Sequence, residues 1–476
     1  MAQTPPLEQV IAQVEKDLKD DKDAIRKIRN LKKQITAKIE KLNTEYAVVN
    51  LAGDTAVLHE IKNPVTGEPD VEFSQPTDFH QFLANQLVDI PQKNISKETK
   101  KIPISKLWFV SAKRRQFKGV AFNPDNPASS NGYYNLFRGF GVQPQKGDWS
   151  LMRLHIREVI AKEDERIYTH VLAWAADMFQ NPGGERPGVA LVIRGPQGIG
   201  KGAFASNIGK IIGSHFIHVS DQNHFIGRFN QHLKDKLLVF VDEGIWAGDK
   251  SIEGKIKAYI TEGMCLVEPK GVNPFTVRNH MRFIIASNND WVVPAGFDER
   301  RMFVVDASDK YQRDYEYFNK LFKQMDNGGR EAMLYDLLKY DYSALNLKEF
   351  PRTEALLDQI LRTQSVVARF WFEKLKEGAL DPQDSYWAGE IAVQEFYDTF
   401  IDYSRKLGWK YAADKGQFGK ELRDFCPPMK KVRKRVSAIE REMRYTFPDL
   451  ETCQALYEKK VNIAIDWSGI EDDDAD

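Results

Sequence analysis

Three apolar runs in a fixed order constrain this chain more than any other feature. The segment 189–305 opens with VALVIRGPQGIGKG, continues through LLVFVDEG and closes with FIIASNNDWVVPAGFDERRMFVV. A strand covered on both faces has no wet side, so uninterrupted apolar runs of this length predict a buried parallel sheet flanked by helices. Each run ends in residues able to handle phosphate or its metal: a glycine-rich turn with Lys201, then Asp242 and Glu243, then Asn288. That repetition separates a working site from a chance motif and predicts an ATP-driven α/β motor.

The first run leads into Gly195, Pro196, Gln197, Gly198, Ile199, Gly200 and Lys201, followed by Gly202 and Ala203. Residues without a Cβ let backbone N–H groups close on phosphates at a helix N-terminus, while Lys201 reaches the β and γ oxygens of ATP. The pattern departs from G-x-x-x-x-G-K-[ST] at its last position, where Gly202 brings no hydroxyl for magnesium and Ala203 does not replace it. Coordination of Mg2+ then leans on water, the phosphates and the acidic pair. Asp242 and Glu243 are the expected metal site, with Glu243 also orienting and deprotonating the attacking water. Asn288 is expected to sense the γ-phosphate. Further on, DERR puts Arg300 and Arg301 where arginines neutralise transition-state charge across a subunit boundary, and Arg301 is the preferred finger. Acting in trans, they require an oligomer.

Lys+Arg and Asp+Glu both number 68, so net charge is zero and any nucleic-acid contact must be local. Between the second and third runs, a helix over 253–261 leads into CLVEPKGVNPFTV, whose apolar flanks predict a β-hairpin. Lys270 and Gly271 fall near its tip and Arg278 follows its second strand, making these the expected DNA-binding residues. A solvated loop lysine gives the same letters. Upstream, KLWFVSAKRRQFKGVAFNP sets Lys113, Arg114 and Arg115 beside Trp108, Phe109 and Phe117. It reads either as a base-stacking, backbone-gripping patch or as an amphipathic strand with a solvated basic face.

At 476 residues the chain outruns a single core. Segment 1–45 reads as a helical, coiled-coil oligomerisation element, since Leu7, Ile11, Val14, Leu18, Ile25, Ile28, Ile35, Ile39 and Leu42 fall on alternating four- and three-residue steps. A helix packed on its own domain satisfies the same pattern. A small α+β unit follows over 46–148, with a hairpin from YAVVN and TAVLHEI and a short helix over 79–87. A helical collar over 149–184 ends at NPGGERPG, before the motor at 185–308. Beyond lie a helical domain at 309–378, a winged-helix-like domain at 379–470 and an acidic tail at 471–476. The wing is drawn from the basic run Lys430-Lys-Val-Arg-Lys-Arg435 and the strands MRYTF and VNIAIDW. Cys265, Cys426 and Cys453 lack metal-binding spacing and read as reduced core residues. With no basic-then-apolar leader and no run of about 18 apolar residues, a cytoplasmic protein with no membrane partner is expected.

The set GPQGIGKG, LLVFVDE, ITEG…VEPKG…PFTVRN, FIIASNNDW and FDERR resembles the superfamily 3 helicases, and more closely the helicase part of phage- and poxvirus-type primase-helicases. The likeness extends to FNP…YNLFRGFGVQP and WAADMFQNP, over roughly 105–350, and fades outside. It implies an AAA+ P-loop core in a hexameric ring that encloses one DNA strand and moves 3′ to 5′ on it with ATP hydrolysis, unwinding a forked duplex. By the same resemblance Lys201 is the phosphate lysine, Asp242 and Glu243 the acidic pair, Asn288 the sensor, Lys270 the DNA-gripping lysine and Arg300 or Arg301 the finger. Residues 1–150 offer no convincing Asp-x-Asp or Asp-x-Glu pair after a strand to bind two metals, so a separate primase or polymerase partner is expected, in a phage, viral or mobile-element setting. The same ATPase parts also serve packaging or remodelling motors, and initiators or inhibitors that use ATP only to assemble.

Overall fold

A computed structural model of the chain describes residues 22–64, 67–91, 99–126, 131–220, 227, 230–242, 250–268, 273–409, 412–435 and 441–467. At its centre lies a five-stranded parallel sheet: β1 (Ala190–Arg194), β2 (Phe216–Val219), β3 (Leu238–Asp242), β4 (Arg282–Ser287) and β5 (Met302–Asp306), in the order β2-β3-β4-β1-β5. The fold is therefore mixed α/β, with a parallel sheet flanked by helices. Ala190–Ile193, Leu238–Val241 and all of β4 are buried, as strands with helices on both faces must be. The edge strand β2 has half-exposed residues and carries His218, and it is too short and too polar to stand out among the longer runs.

The helices that cover the sheet are α1 (Glu165–Gln180), α2 (Lys201–Ile212), α3 (Lys250–Thr261), α4 (Tyr315–Gln324) and α5 (Glu354–Thr363). Asp164 caps α1 by accepting from the N–H groups of Arg166 and Ile167, which satisfies donors that the first helical turn leaves open. Helix α1 buries nearly its whole second half, and Trp174 donates from Nε1 to the Val189 carbonyl at 3.0 Å. Its Asp177 meets Arg282 of β4 at 2.6 Å, both almost completely buried. That ion pair fastens the helix to the middle strand of the sheet.

Several expectations change against the structure. The described part of the first helix, Lys22–Asn43, presses Ile35, Ile39 and Leu42 against Tyr46, Val48, Phe79, Leu107 and Trp108 of its own chain. Over that stretch the apolar seam is satisfied within the N-terminal unit, while 7–21 lies outside the described residues. The hairpin is present as Tyr46–Leu51 paired antiparallel with Asp54–Lys62. The following helix ends earlier than expected, at Phe82, because Leu87–Pro91 joins Thr99–Pro103 as a strand pair. The basic-aromatic stretch divides between a helix and two short strands, Gln116–Phe117 and Gly119–Ala121. Ile104–Val110 is a helix, Trp108 is fully buried, and Arg115 pairs with Glu60 at 2.8 Å.

Helicity over 149–179 is interrupted by a wide turn at Ile156–Ile160 and a break before Asp164. Glu354–Thr363 and Val366–Glu377 are two helices, because Ser365 caps the second. In the C-terminal unit the sheet has three strands, Glu390–Ala392, Arg441–Thr446 and Lys430–Arg435. VNIAIDW contributes none of them. Val461 ends the helix Leu450–Val461, Asn462 closes it in the left-handed region, and the buried alternation of Val461 and Ile463 mimics a strand. All three cysteines are buried and free, and Cys426 and Cys453 share a thiol hydrogen bond at 3.9 Å between sulfurs. Among the described residues no helix is long and apolar enough to cross a membrane, and no group of three or more His, Cys, Asp or Glu could hold a metal.

Candidate functional site

The sheet order places β3, β4 and β1 side by side and parallel, so their C-terminal ends open on one edge. Such an edge is where open α/β sheets place ligands. Arg194, the last residue of β1, is pinned by Asp306 of β5 at 2.5 Å, by Asp358 of α5 and by the Asp290 carbonyl at 3.0 Å. The chain then turns through Gly195–Gly200 and enters α2 at Lys201. Gly200 has φ +97°, and a Cβ there would lie 2.5 Å from His155 and 2.7 Å from Phe318. Any other residue would be strained at that φ and would also force both rings away.

Lys201 is buried to 6% exposure. Its ammonium donates to the carbonyls of Gly195 (2.6 Å) and Pro196 (2.9 Å) and to Oδ1 of Asn288 (2.7 Å), linking the turn to the end of β4. Asp242 ends β3 on the same edge, with His218 of β2 at 3.7 Å. Gln197, Gly198, Gly200, Lys201, Gly202, Ala203, Asp242 and Asn288 thus line one open cleft of about 460 Å³, within the range of small-ligand sites. Gly202 has open space where a Cβ would sit. Ile199 instead points inward and is fully buried. Glu243 lies outside the described residues.

Arg300 and Arg301 are not in this cleft. They immediately precede β5, whose Met302 pairs with Ala190 at the start of β1, and the Arg301 carbonyl accepts from Ala190 N–H at 2.7 Å. They therefore sit at the opposite edge of the sheet, separated from the turn by the length of β1, on the order of 15 Å at about 3.3 Å per residue. The buried carboxylate of Glu299 accepts from the backbone N–H of both (3.0 and 2.7 Å) and so fixes the loop. Arg300 is exposed, and Arg301 is half-buried with no hydrogen-bond partner for its Nε among the described residues.

The hairpin stem is present as Met264–Val267 paired antiparallel with Phe275–Arg278. Cys265, Val267, Phe275 and Val277 face the core, while Met264, Leu266, Thr276 and Arg278 face outward. Asn230 clamps the stem, donating to the Leu266 carbonyl and accepting from Glu268 N–H, each at 2.8 Å. Lys270 and Gly271 lie outside the described residues.

Sequence reasoning missed one wall of the cleft. Arg313, Tyr315, Phe318 and Phe322 close it from the start of α4. Arg313 N–H donates to the Gly198 carbonyl at 3.1 Å, and Gln312 Nε2 donates to that of Gln197 at 2.9 Å. Behind them His155 touches the Gly200 carbonyl through Nε2 and the Tyr317 hydroxyl through Nδ1, each at 3.2 Å. Burial pushes His155 down to about 4, against a smaller opposing effect of the Gly200 carbonyl. The neutral ring must donate from Nε2, since a carbonyl only accepts, and so Nδ1 accepts from Tyr317. The signal for this wall was the aromatic spacing YEYFNKLF, which helical periodicity alone assigns to a core face.

Fold and geometry together define a mixed α/β protein with a candidate site at the C-terminal edge of a parallel sheet. Residues 193–301 match the model of a family described as "Family of unknown function (DUF5906)", and every site residue singled out from the sequence lies within that span. A DNA primase-polymerase of Nitratiruptor phage NrS-1 is 26% identical over 212 residues, 42% of this chain. The match spans only 29% of that relative's length. Three apo structures of the NrS-1 C-terminal region share the fold, with TM-scores of 0.58, 0.57 and 0.59 at 17% identity, covering 86% of this chain and 98% of theirs.

Proposed function

We propose that this chain is an ATP-dependent, ring-forming replicative DNA helicase with a P-loop AAA+ core, of phage or viral type, translocating on single-stranded DNA 3′ to 5′. The observation that carries the reading is the convergence of three neighbouring strand ends, which brings Lys201, Asp242 and Asn288 into one cleft with a glycine turn at a helix N-terminus. The likeness to a phage DNA primase-polymerase supports a replication setting.

On this reading the backbone N–H groups of the turn hold the phosphates of ATP, and Lys201 neutralises the β and γ oxygens. Asp242 fits a divalent cation bound with the triphosphate, because its carboxylate opens into the same cleft as Lys201. Mg2+ there supplies charge neutralisation as the phosphoryl group leaves. Glu243, the next residue, takes the proton from the attacking water, and Asn288 registers the γ-phosphate. Arg301, or its neighbour Arg300, completes the site of an adjoining subunit in a hexamer. Lys270 and Gly271, between the two strands of the hairpin in sequence, with Arg278 on its stem, grip the strand in the pore; the C-terminal basic sheet is a second candidate contact with the fork, and a separate primase or polymerase is the expected partner.

The test is strand displacement on a forked DNA with ATP and Mg2+. Wild-type protein should unwind it, and Lys201→Ala should neither hydrolyse ATP nor unwind. A fully active Lys201→Ala protein sinks the site assignment. Wild-type hydrolysis and DNA binding without displacement would leave a packaging motor or an ATP-assembled initiator in place of a helicase.

A further inference from the structure

We propose that Tyr315, Phe318 and Phe322 form the platform on which the base of the bound nucleoside triphosphate stacks, with Arg313 as a second cation beside its phosphates; this rests on the phosphate-binding reading of the 195–201 turn. Helix α4 separates its apolar residues onto two faces. Tyr317 and Leu321 turn inward, Tyr317 stacking on Tyr311 with centroids 3.9 Å apart and Leu321 fully buried. Tyr315, Phe318 and Phe322, at i, i+3 and i+7, share the other face and line the cleft that holds Lys201. Tyr315 is 79% exposed and Phe322 39% exposed. Large apolar groups left open inside a polar cleft mark a ligand surface more than a packing face.

The turn and this wall are built against each other. A Cβ on Gly198 would come within 3.1 Å of Arg313 Cγ, and one on Gly200 within 2.7 Å of the Phe318 ring. Arg313 is itself held at φ +58°, a conformation that non-glycine residues seldom adopt, and its N–H bond to Gly198 secures it there. Asp314 then caps α4 by accepting from Tyr317 N–H at 2.9 Å. The platform is thus fixed at the edge of the turn, where a base attached to turn-bound phosphates would project. Phe318 and Phe322 lie with ring centroids 6.3 Å apart and 30° between planes. At that separation the rings touch each other, so a base lies on them from the open side and not between them. Stacking on a π-face reads ring area and not base edges, so purines should be preferred to pyrimidines, with little choice between ATP and GTP.

Titration calorimetry of the full chain with ATP, CTP and inorganic tripolyphosphate tests this. Tyr315→Ala and Phe322→Ala should each weaken ATP about tenfold while tripolyphosphate binding is unchanged, and Tyr315→Phe should restore ATP affinity. Arg313→Ala should weaken both ligands, and CTP should bind the wild type less tightly than ATP. Unchanged ATP affinity in both alanine variants, or an equal loss for tripolyphosphate, overturns the platform while loss of both ligands in Lys201→Ala keeps the phosphate turn. Failure of wild-type protein to bind either ligand overturns the turn and the platform together. Tyr315 stands so far out of the fold that its variants should keep the wild-type melting temperature.

Discussion

At the scale of single residues, Gly202 sets the terms on which the proposed Mg2+ would be held. It occupies the second position of α2, half-buried, with nothing within 4 Å of where a Cβ would sit. A hydroxyl can therefore be added without displacing anything. Gly202→Thr should lower the Mg2+ concentration that gives half-maximal ATP hydrolysis, whereas Gly202→Ala should not. Alanine gains about 1 kcal/mol of helix propensity over glycine and threonine a few tenths, and neither gain adds a metal ligand, so the pair isolates the hydroxyl. An unchanged Mg2+ dependence in the threonine variant would place the metal away from the start of α2. Lys201, Asp242 and Asn288 could be read from the chain because each closes or follows a buried run, and a buried parallel strand leaves little choice of letters. Arg313 and His155 could not. Their contacts with the turn span more than a hundred and about forty-five residues respectively, and depend on how the chain returns after β5 and enters before β1.

At the scale of elements, the fastening of α1 to β4 is electrostatic inside an apolar layer. Asp177→Ala would leave the guanidinium of Arg282 buried with its ion-pair partner removed, and should cost about 3–5 kcal/mol in denaturant unfolding. A loss within about 0.5 kcal/mol would mean that the Asn181 carbonyl, also within reach of Arg282 at 3.4 Å, carries the charge. The hairpin stem is clamped by Asn230 near its turn-ward end, at Leu266 and Glu268. Lys270→Ala should abolish unwinding and the DNA-stimulated part of hydrolysis, measured on the same forked substrate. Unwinding at the wild-type rate would remove the hairpin from the mechanism. Its strands were legible because Cys265, Val267, Phe275 and Val277 alternate with outward residues around a proline-rich turn. The basic stretch near Trp108 misled for a related reason: aromatic and basic letters suit a stacking patch equally well, and only the opposing surface of Ile39, Phe79 and Leu107 decides that the tryptophan goes inside.

At the scale of the whole molecule, four buried histidines make stability depend on acid. Burial pushes His155, His170, His215 and His280 down from 6.5 to about 4. The unfolded chain takes up these protons as pH falls through about 6.5, while the folded chain resists until about 4. Their contribution is therefore present above 6.5 and is lost as pH falls from there towards 4. His170 packs edge-on to Phe303 and its Nε2 has no partner among the described residues. His170→Phe should shrink the difference in unfolding free energy between pH 7 and pH 5 by about 2 kcal/mol. An unchanged difference would show that His170 titrates normally in the folded chain.

The arginine pair belongs to this scale too, because it lies across the sheet from the cleft. Mixing Arg301→Ala with Glu243→Gln subunits should restore part of the hydrolysis that each lacks alone. No rescue at any ratio would argue against Arg301 as a finger supplied in trans.

The separation of Lys201 and Arg301 to opposite edges of one sheet has a further consequence for counting. On the proposed reading, with Arg301 acting in trans, each subunit offers half of a site at either end, like a tile with a tab and a slot. Two such tiles joined make one complete site and leave an idle half at each free end, and lengthening an open row always leaves that deficit. Only closure removes it. Turnover per subunit should therefore climb with protein concentration and level off, with a single particle size at the plateau marking a ring and a size that keeps growing marking an open filament.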